Sequence, residues 1–160
     1  MYSEISDLAK KIVGIATAKG LKIGFAESLT GGMISAQIVS VPGASLCLEG
    51  SVVSYSNEVK INVLKVDAEV IRDHGAVSEQ CAKQMASGAR ELLGADFAIS
   101  VTGIAGPAGG SDYKPVGTVY IGISSSDECY ADHFVFEGDR ESIRLQTVKE
   151  AYKLLLKHIL

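Results

Sequence analysis

The chain predicts an α/β protein, a three-layer α/β/α sandwich built on a mixed, mainly parallel sheet of about five strands. Three observations carry this reading. Apolar residues at helical spacing open and close the chain, and short apolar runs stopped by glycine- or hydroxyl-rich turns alternate with helical segments between them. Near the C-terminal end, two β-rich runs are joined by a short polar link that suits an antiparallel hairpin.

Each element has a local reason. Ile5, Leu8, Ile12 and Ile15 form one helical stripe, which Gly20 ends. Residues 21–26 read as a buried strand leading into the turn Glu27-Ser28-Leu29-Thr30-Gly31-Gly32, after which Met33, Ile34, Ile38 and Val39 return to helical spacing. Val41-Pro42-Gly43-Ala44-Ser45 breaks that helix, and residues 51–55 carry the β-branched pair Val52 and Val53 of a second strand. Ser56-Asn57 then caps a short helix reaching about residue 64. Ser78-Glu79-Gln80-Cys81 opens a long helix with Ala82, Met85, Ala89, Leu92 and Leu93 on one face, closed by Gly94. Residues 96–101 are almost continuously apolar, as in a strand covered on both faces, and stop at Thr102-Gly103. Strands over 116–123 and 129–136 and a last helix starting near Gly138-Asp139-Arg140 complete the order. No repeat or linker marks a second unit, so residues 1–160 read as one domain.

Composition narrows the function. With 47% hydrophobic residues, 21% charged residues and a mean hydropathy of +0.22, the chain can bury a large core. A net charge of −4 and a pI near 5.4 argue against a surface that neutralises many phosphates, so no nucleic-acid partner is expected. Cys47, Cys81 and Cys129 and His74, His133 and His158 are scattered, which predicts no metal, no cofactor and a reducing, cytoplasmic setting. The N-terminal stripe is not a secretory segment and no run reaches membrane-spanning length. Apolar faces on the two terminal helices suggest a homo-oligomer, dimer or higher.

The 17 glycines, about 11% against a usual figure near 7%, concentrate where chemistry would sit. In an open α/β sheet, ligands bind beyond the carboxyl ends of the strands. The turns there contain Ser28 and Thr30, Tyr55 and Lys60, and Thr102, with Gly31, Gly32, Gly103, Gly106, Gly109 and Gly110 beside them as open backbone for an anion. A serine nucleophile needs a base, and with no histidine near these turns Lys60 or a carboxylate such as Glu27 or Glu58 is available. Lysine is the better candidate, although its pKa of about 10.4 must fall by roughly three units, about 4 kcal/mol, to act near neutrality. Ser28 and Thr30 also serve as N-caps and Ser45 as a turn residue without any chemistry. Arg140 and Lys114 are candidate phosphate partners.

Five ordered motifs, Ala26-Glu27-Ser28-Leu29-Thr30-Gly31-Gly32, Val41-Pro42-Gly43-Ala44-Ser45, Val53 to Lys60, Val101 to Pro107 and Lys114 to Val119, closely resemble the CinA C-terminal domain family. The resemblance implies the α/β/α fold and a stand-alone nicotinamide-nucleotide amidohydrolase. Such an enzyme converts nicotinamide mononucleotide to nicotinate mononucleotide and ammonia through a metal-free serine and lysine pair. The positions taken to match are Ser45 as nucleophile and Lys60 as base, with Ser28, Tyr55 and Thr102 as supporting contacts. Thr30, Gly31, Gly32, Gly103, Gly106 and Arg140 would complete the binding of a small nucleotide substrate. Two positions depart from the family pattern: Leu48, where phenylalanine is common, and Ser51, where a second glycine follows Gly50. The competing expectation is a non-catalytic nucleotide-binding module linked to competence or DNA-damage response.

Overall fold

A computed structural model describes residues 1–160. Five strands, β1 (Ile23–Glu27), β2 (Leu48–Val53), β3 (Phe97–Gly103), β4 (Thr118–Ser124) and β5 (Cys129–Val135), form one sheet in the order β2-β1-β3-β4-β5. The first three are parallel, and β4 and β5 extend the sheet as an antiparallel pair. The sheet is therefore mixed, with the parallel part central, because the β3–β4 and β4–β5 connections return the chain without a helical crossover.

Helices α1 (Tyr2–Lys19), α2 (Met33–Val39) and α6 (Arg140–Ile159) pack on one face of the sheet, and α5 (Glu79–Leu93) on the other, with α3 (Asn57–Asn62) and α4 (Ala68–His74) beside it. Three caps fall where hydroxyl and carboxylate side chains predicted them. Ser56, Ser78 and Asp139 accept hydrogen bonds from the amides of Val59, Cys81 and Ser142. The β2 strand starts three residues before the expected Ser51, because Leu48 pairs with Ile23 as β1 begins. Residues 68–74 form a helix of their own, capped by Asp67, in a stretch read only as a connection.

The main core combines Phe25, Ile99, Val101, Val119, Ile121 and Ile123 of the sheet with Ile5, Ile12, Val148, Tyr152 and Leu155 of the helices. The apolar stripes of α1 and α6 are thus buried within one chain, so the observation behind the oligomer expectation has an intramolecular explanation. On the other face, Gly122 lets α5 approach β4: a Cβ there would stand 2.6 Å from the Ala82 carbonyl oxygen and 2.5 Å from Ser100 Oγ. Ser100 Oγ donates to the same carbonyl, which fixes α5 over the strands that carry the site. No helix is long and apolar enough to cross a membrane.

Candidate active site

β1, β2 and β3 end side by side, and the turns that leave them form a cleft of about 270 Å³. Its wall includes Ser28, Leu29, Tyr55, Lys60, Thr102 and Arg140. Ser28 is the first residue after β1, and its amide is pinned to the Val101 carbonyl of β3. The chain leaving β2 is fastened to β1 by the Ser54 amide, which donates to the Glu27 carbonyl, and then turns through Tyr55 into α3. One turn into that helix, Lys60 points back beneath the Ser54-Tyr55 segment.

Lys60 is the chemical centre of the cleft. It is 2% exposed, and its Nζ lies 3.0 Å from Ser28 Oγ, 2.7 Å from the Ser54 carbonyl oxygen and 3.1 Å from that of Tyr55. No carboxylate pairs with it. Burial disfavours the ammonium and holds the lysine below its ordinary value. A neutral amine has two N–H groups and one lone pair. As an ammonium Lys60 donates to all three neighbours; on losing a proton it would keep its two N–H groups for the carbonyls and turn its lone pair to the Ser28 hydroxyl.

Other parts of the wall are supported from outside. Thr102, 1% exposed, donates through Oγ1 to the Ala76 carbonyl at 2.9 Å and joins the cleft to the segment before α5. At the mouth, Arg140 donates through Nη1 to the Gly106 carbonyl at 2.7 Å and reaches the exposed Tyr55 hydroxyl at 3.5 Å. Lys114, the other candidate cation, instead donates to the His74 carbonyl at the end of α4.

The structure separates the expected residues. Ser28, Tyr55, Lys60, Thr102, Gly103 and Arg140 share the cleft. Ser45 does not. It sits in a single 3₁₀ turn (Ala44–Leu46), exposed, in a groove with Val39, Val41 and Leu48 that shares no residue with the cleft. The reason is strand direction: Ser45 precedes β2 and Lys60 follows it, so six strand residues, roughly 20 Å at 3.3 Å each, lie between the levels of the two groups.

Thr30, Gly31 and Gly32 are also outside the cleft, because the donors of their turn serve Glu27. This carboxylate is fully buried. Its Oε1 accepts from Thr30 Oγ1 at 2.8 Å and from the Gly32 and Ile34 amides at 3.2 and 2.9 Å. Its Oε2 accepts from the Ser35 amide and hydroxyl at 3.1 and 2.8 Å and from the Ser51 hydroxyl at 2.9 Å. A carboxylate so occupied is neither a base facing the cleft nor a neighbour that leaves room for a phosphate. Gly106 contributes its carbonyl to Arg140 rather than an open surface. Leu29, Asn57, Ala76, Val77 and Ala105 line the cleft without having been foreseen, since apolar and amide residues in turns carry no chemical signature.

The model of the CinA C-terminal domain matches residues 5–159. The chain belongs to the CinA C-terminal domain family. Among curated relatives of the family, a CinA-like protein of Dictyoglomus turgidum is 45% identical over 155 residues, which are 97% of this chain and 38% of that protein. Another CinA-like protein, from Citrifermentans bemidjiense, is 50% identical over 142 residues, 88% of this chain and 34% of the relative. The chain therefore spans well under half the length of these relatives. It matches solved structures over nearly their whole length. The competence/damage inducible protein CihA of Agrobacterium tumefaciens has a TM-score of 0.94 at 38% identity, covering 96% of this chain and 94% of its own. A CinA superfamily protein of Escherichia coli has a TM-score of 0.92 at 31% identity, with 96% and 89% covered.

Proposed function

We propose that the cleft is an amidase site that hydrolyses the carboxamide of nicotinamide mononucleotide, with Ser28 as nucleophile and Lys60 as its base. The observation that carries this reading is the 3.0 Å contact between a buried lysine and a serine hydroxyl, with the other two lysine contacts made to backbone carbonyls. The nicotinamide nucleotide is the substrate that the family resemblance implies, and Arg140 at the cleft mouth supplies a cation for its phosphate. Ser28 replaces Ser45 as nucleophile because it is the serine whose hydroxyl Lys60 reaches.

In the first half-reaction Lys60 accepts the Ser28 proton as Oγ bonds to the amide carbon. The oxyanion is received by the amide of Leu29, the cleft-lining residue that follows the nucleophile, an N–H with no hydrogen-bond acceptor within the protein. The C–N bond then breaks, and Lys60 returns its proton to the departing ammonia. In the second half-reaction water adds to the acyl-enzyme while Lys60 takes its proton. The C–Oγ bond breaks, the proton goes back to Ser28, and the carboxylate product leaves. No step requires a metal or an organic cofactor.

The test is ammonia release from nicotinamide mononucleotide by the purified protein, with Ser28→Ala and Lys60→Met alongside. Release that both substitutions abolish, with nucleotide affinity kept within a fewfold, is the expected outcome. No release by the unaltered protein despite measurable nucleotide binding establishes the non-catalytic binding module instead.

A further inference from the structure

The Ser28 turn is held from two sides by charged residues that do not line the cleft. On one side Glu27 collects six neutral donors from Thr30, Gly32, Ile34, Ser35 and Ser51. On the other, Arg144 of α6 donates through Nε to the Leu29 carbonyl at 2.8 Å and through Nη2 to the Thr30 carbonyl at 3.0 Å. The carboxylate thus accepts from the amides of Gly32, Ile34 and Ser35 and from three hydroxyls, while the guanidinium donates to the carbonyls of Leu29 and Thr30 just ahead of them. Because each peptide is planar, fixing a carbonyl fixes the N–H across the same bond. The Ser28 carbonyl is itself held by the Gly31 amide at 3.1 Å, which sets the plane of the Ser28-Leu29 peptide and so the direction of the Leu29 N–H.

The anchors are well founded. Glu27 is fully buried, and the Ser51 hydroxyl it holds belongs to β2, so the turn is tied to the sheet. The fully buried Tyr152, one face of α6 further along, donates its hydroxyl to the Ile34 carbonyl at 2.5 Å, joining α6 to the start of α2. Arg144 approaches on the same helix and reaches two successive carbonyls with a rigid fork, a geometry that a single ammonium does not reproduce.

We infer that Glu27 and Arg144 are positioning residues that clamp the turn after β1 and thereby set Ser28 Oγ against Lys60 and the Leu29 N–H toward the reacting carbonyl. The inference rests on the Ser28–Lys60 reading. It assigns the clamp to catalysis as well as to folding: a displacement of about 1 Å in a reacting group is worth roughly 100-fold in rate.

The experiment compares Arg144→Met, Arg144→Lys and Glu27→Gln with the unaltered protein and with Lys157→Met, an exposed control on the same helix. Two readouts are taken below the melting temperature of every variant. One is kcat and KM for nicotinamide mononucleotide. The other is the rate at which phenylmethanesulfonyl fluoride labels Ser28, located by mass spectrometry. In that labelling Oγ bonds to sulfur, the S–F bond breaks, fluoride leaves and Lys60 takes the proton. Expected are a fall of about 100-fold in kcat for Arg144→Met and Glu27→Gln, KM within about threefold, and a parallel fall in labelling. Arg144→Lys should recover about tenfold, by regaining one carbonyl. Folded variants with unchanged kcat and labelling overturn the clamp, as does a loss confined to KM. Where Arg144→Met and Glu27→Gln fail to fold, Arg144→Lys decides alone, and wild-type kcat and labelling in it overturn the clamp. If the unaltered protein releases no ammonia but its Ser28 labels in an Arg144-dependent way, the substrate reading fails and the clamp stands.

Discussion

Replacing Ser28 and Ser45 by alanine, one at a time, separates the two candidate nucleophiles by both rate and stability. Ser28 is 8% exposed and loses a 3.0 Å contact with Lys60. One such hydrogen bond contributes about 1 kcal/mol net, so Ser28→Ala should melt about 2–4 °C lower for a chain of this size. The rate effect is far larger. Without Oγ no acyl-enzyme forms, and turnover should drop at least about 10³-fold, while nucleotide affinity stays within about threefold. Ser45 is exposed and makes no side-chain hydrogen bond, so Ser45→Ala should shift stability by no more than about 0.5 kcal/mol and leave turnover unchanged. Coupled ammonia detection, isothermal titration with nicotinamide mononucleotide and thermal melts measure the three quantities. The reasoning is refuted if Ser28→Ala keeps its turnover, or if Ser45→Ala loses turnover while remaining folded and able to bind.

Four further outcomes follow from the same geometry. Because burial lowers the Lys60 value and the neutral amine is the base, kcat/KM should rise with pH through an apparent value below the ordinary 10.5, and Lys60→Met should abolish that limb. Stability carries the same sign: the desolvation penalty is fully present below the folded value and gone above 10.5, so between them stability rises with pH, a slope that Lys60→Met should flatten in denaturant titrations. Arg140→Met should raise KM for the nucleotide by about 10- to 100-fold, the worth of one charged hydrogen bond, with little effect on a substrate lacking phosphate. Gly122→Ala should destabilise by about 1–3 kcal/mol, read by urea denaturation, because its Cβ would meet the Ala82 carbonyl of α5 at 2.6 Å. Finally, a thiol reagent at pH 8 should modify Cys129 alone in the folded protein. Cys47 and Cys81 are buried, and burial pushes the Cys81 thiol to about 11.

What the sequence disclosed and what it hid divide along the range of the interactions. The β1 and β3 runs are legible because a strand covered on both faces must be apolar throughout, and Phe25, Ala26, Ile99 and Val101 satisfy that locally. Ser56, Ser78 and Asp139 are legible as caps because each bonds an amide three residues ahead. Glu27 was hidden: its six donors come from residues three to 24 positions away, and nothing in Glu27-Ser28-Leu29-Thr30 marks the acid as an anchor and the next residue as the partner of Lys60. Ser45 lies outside the cleft for a reason that strand polarity itself supplies. Ser45 is 15 positions from Lys60 and Ser28 is 32, yet β2 points away from the first and β1 delivers the second. In a parallel sheet only residues that follow strands gather at the carboxyl end, so a residue that precedes its strand is excluded from that end however close it lies in the chain. Applied to the predicted order of elements, that rule sets Ser45 apart from Lys60 and keeps Ser28 among the residues at its end of the sheet.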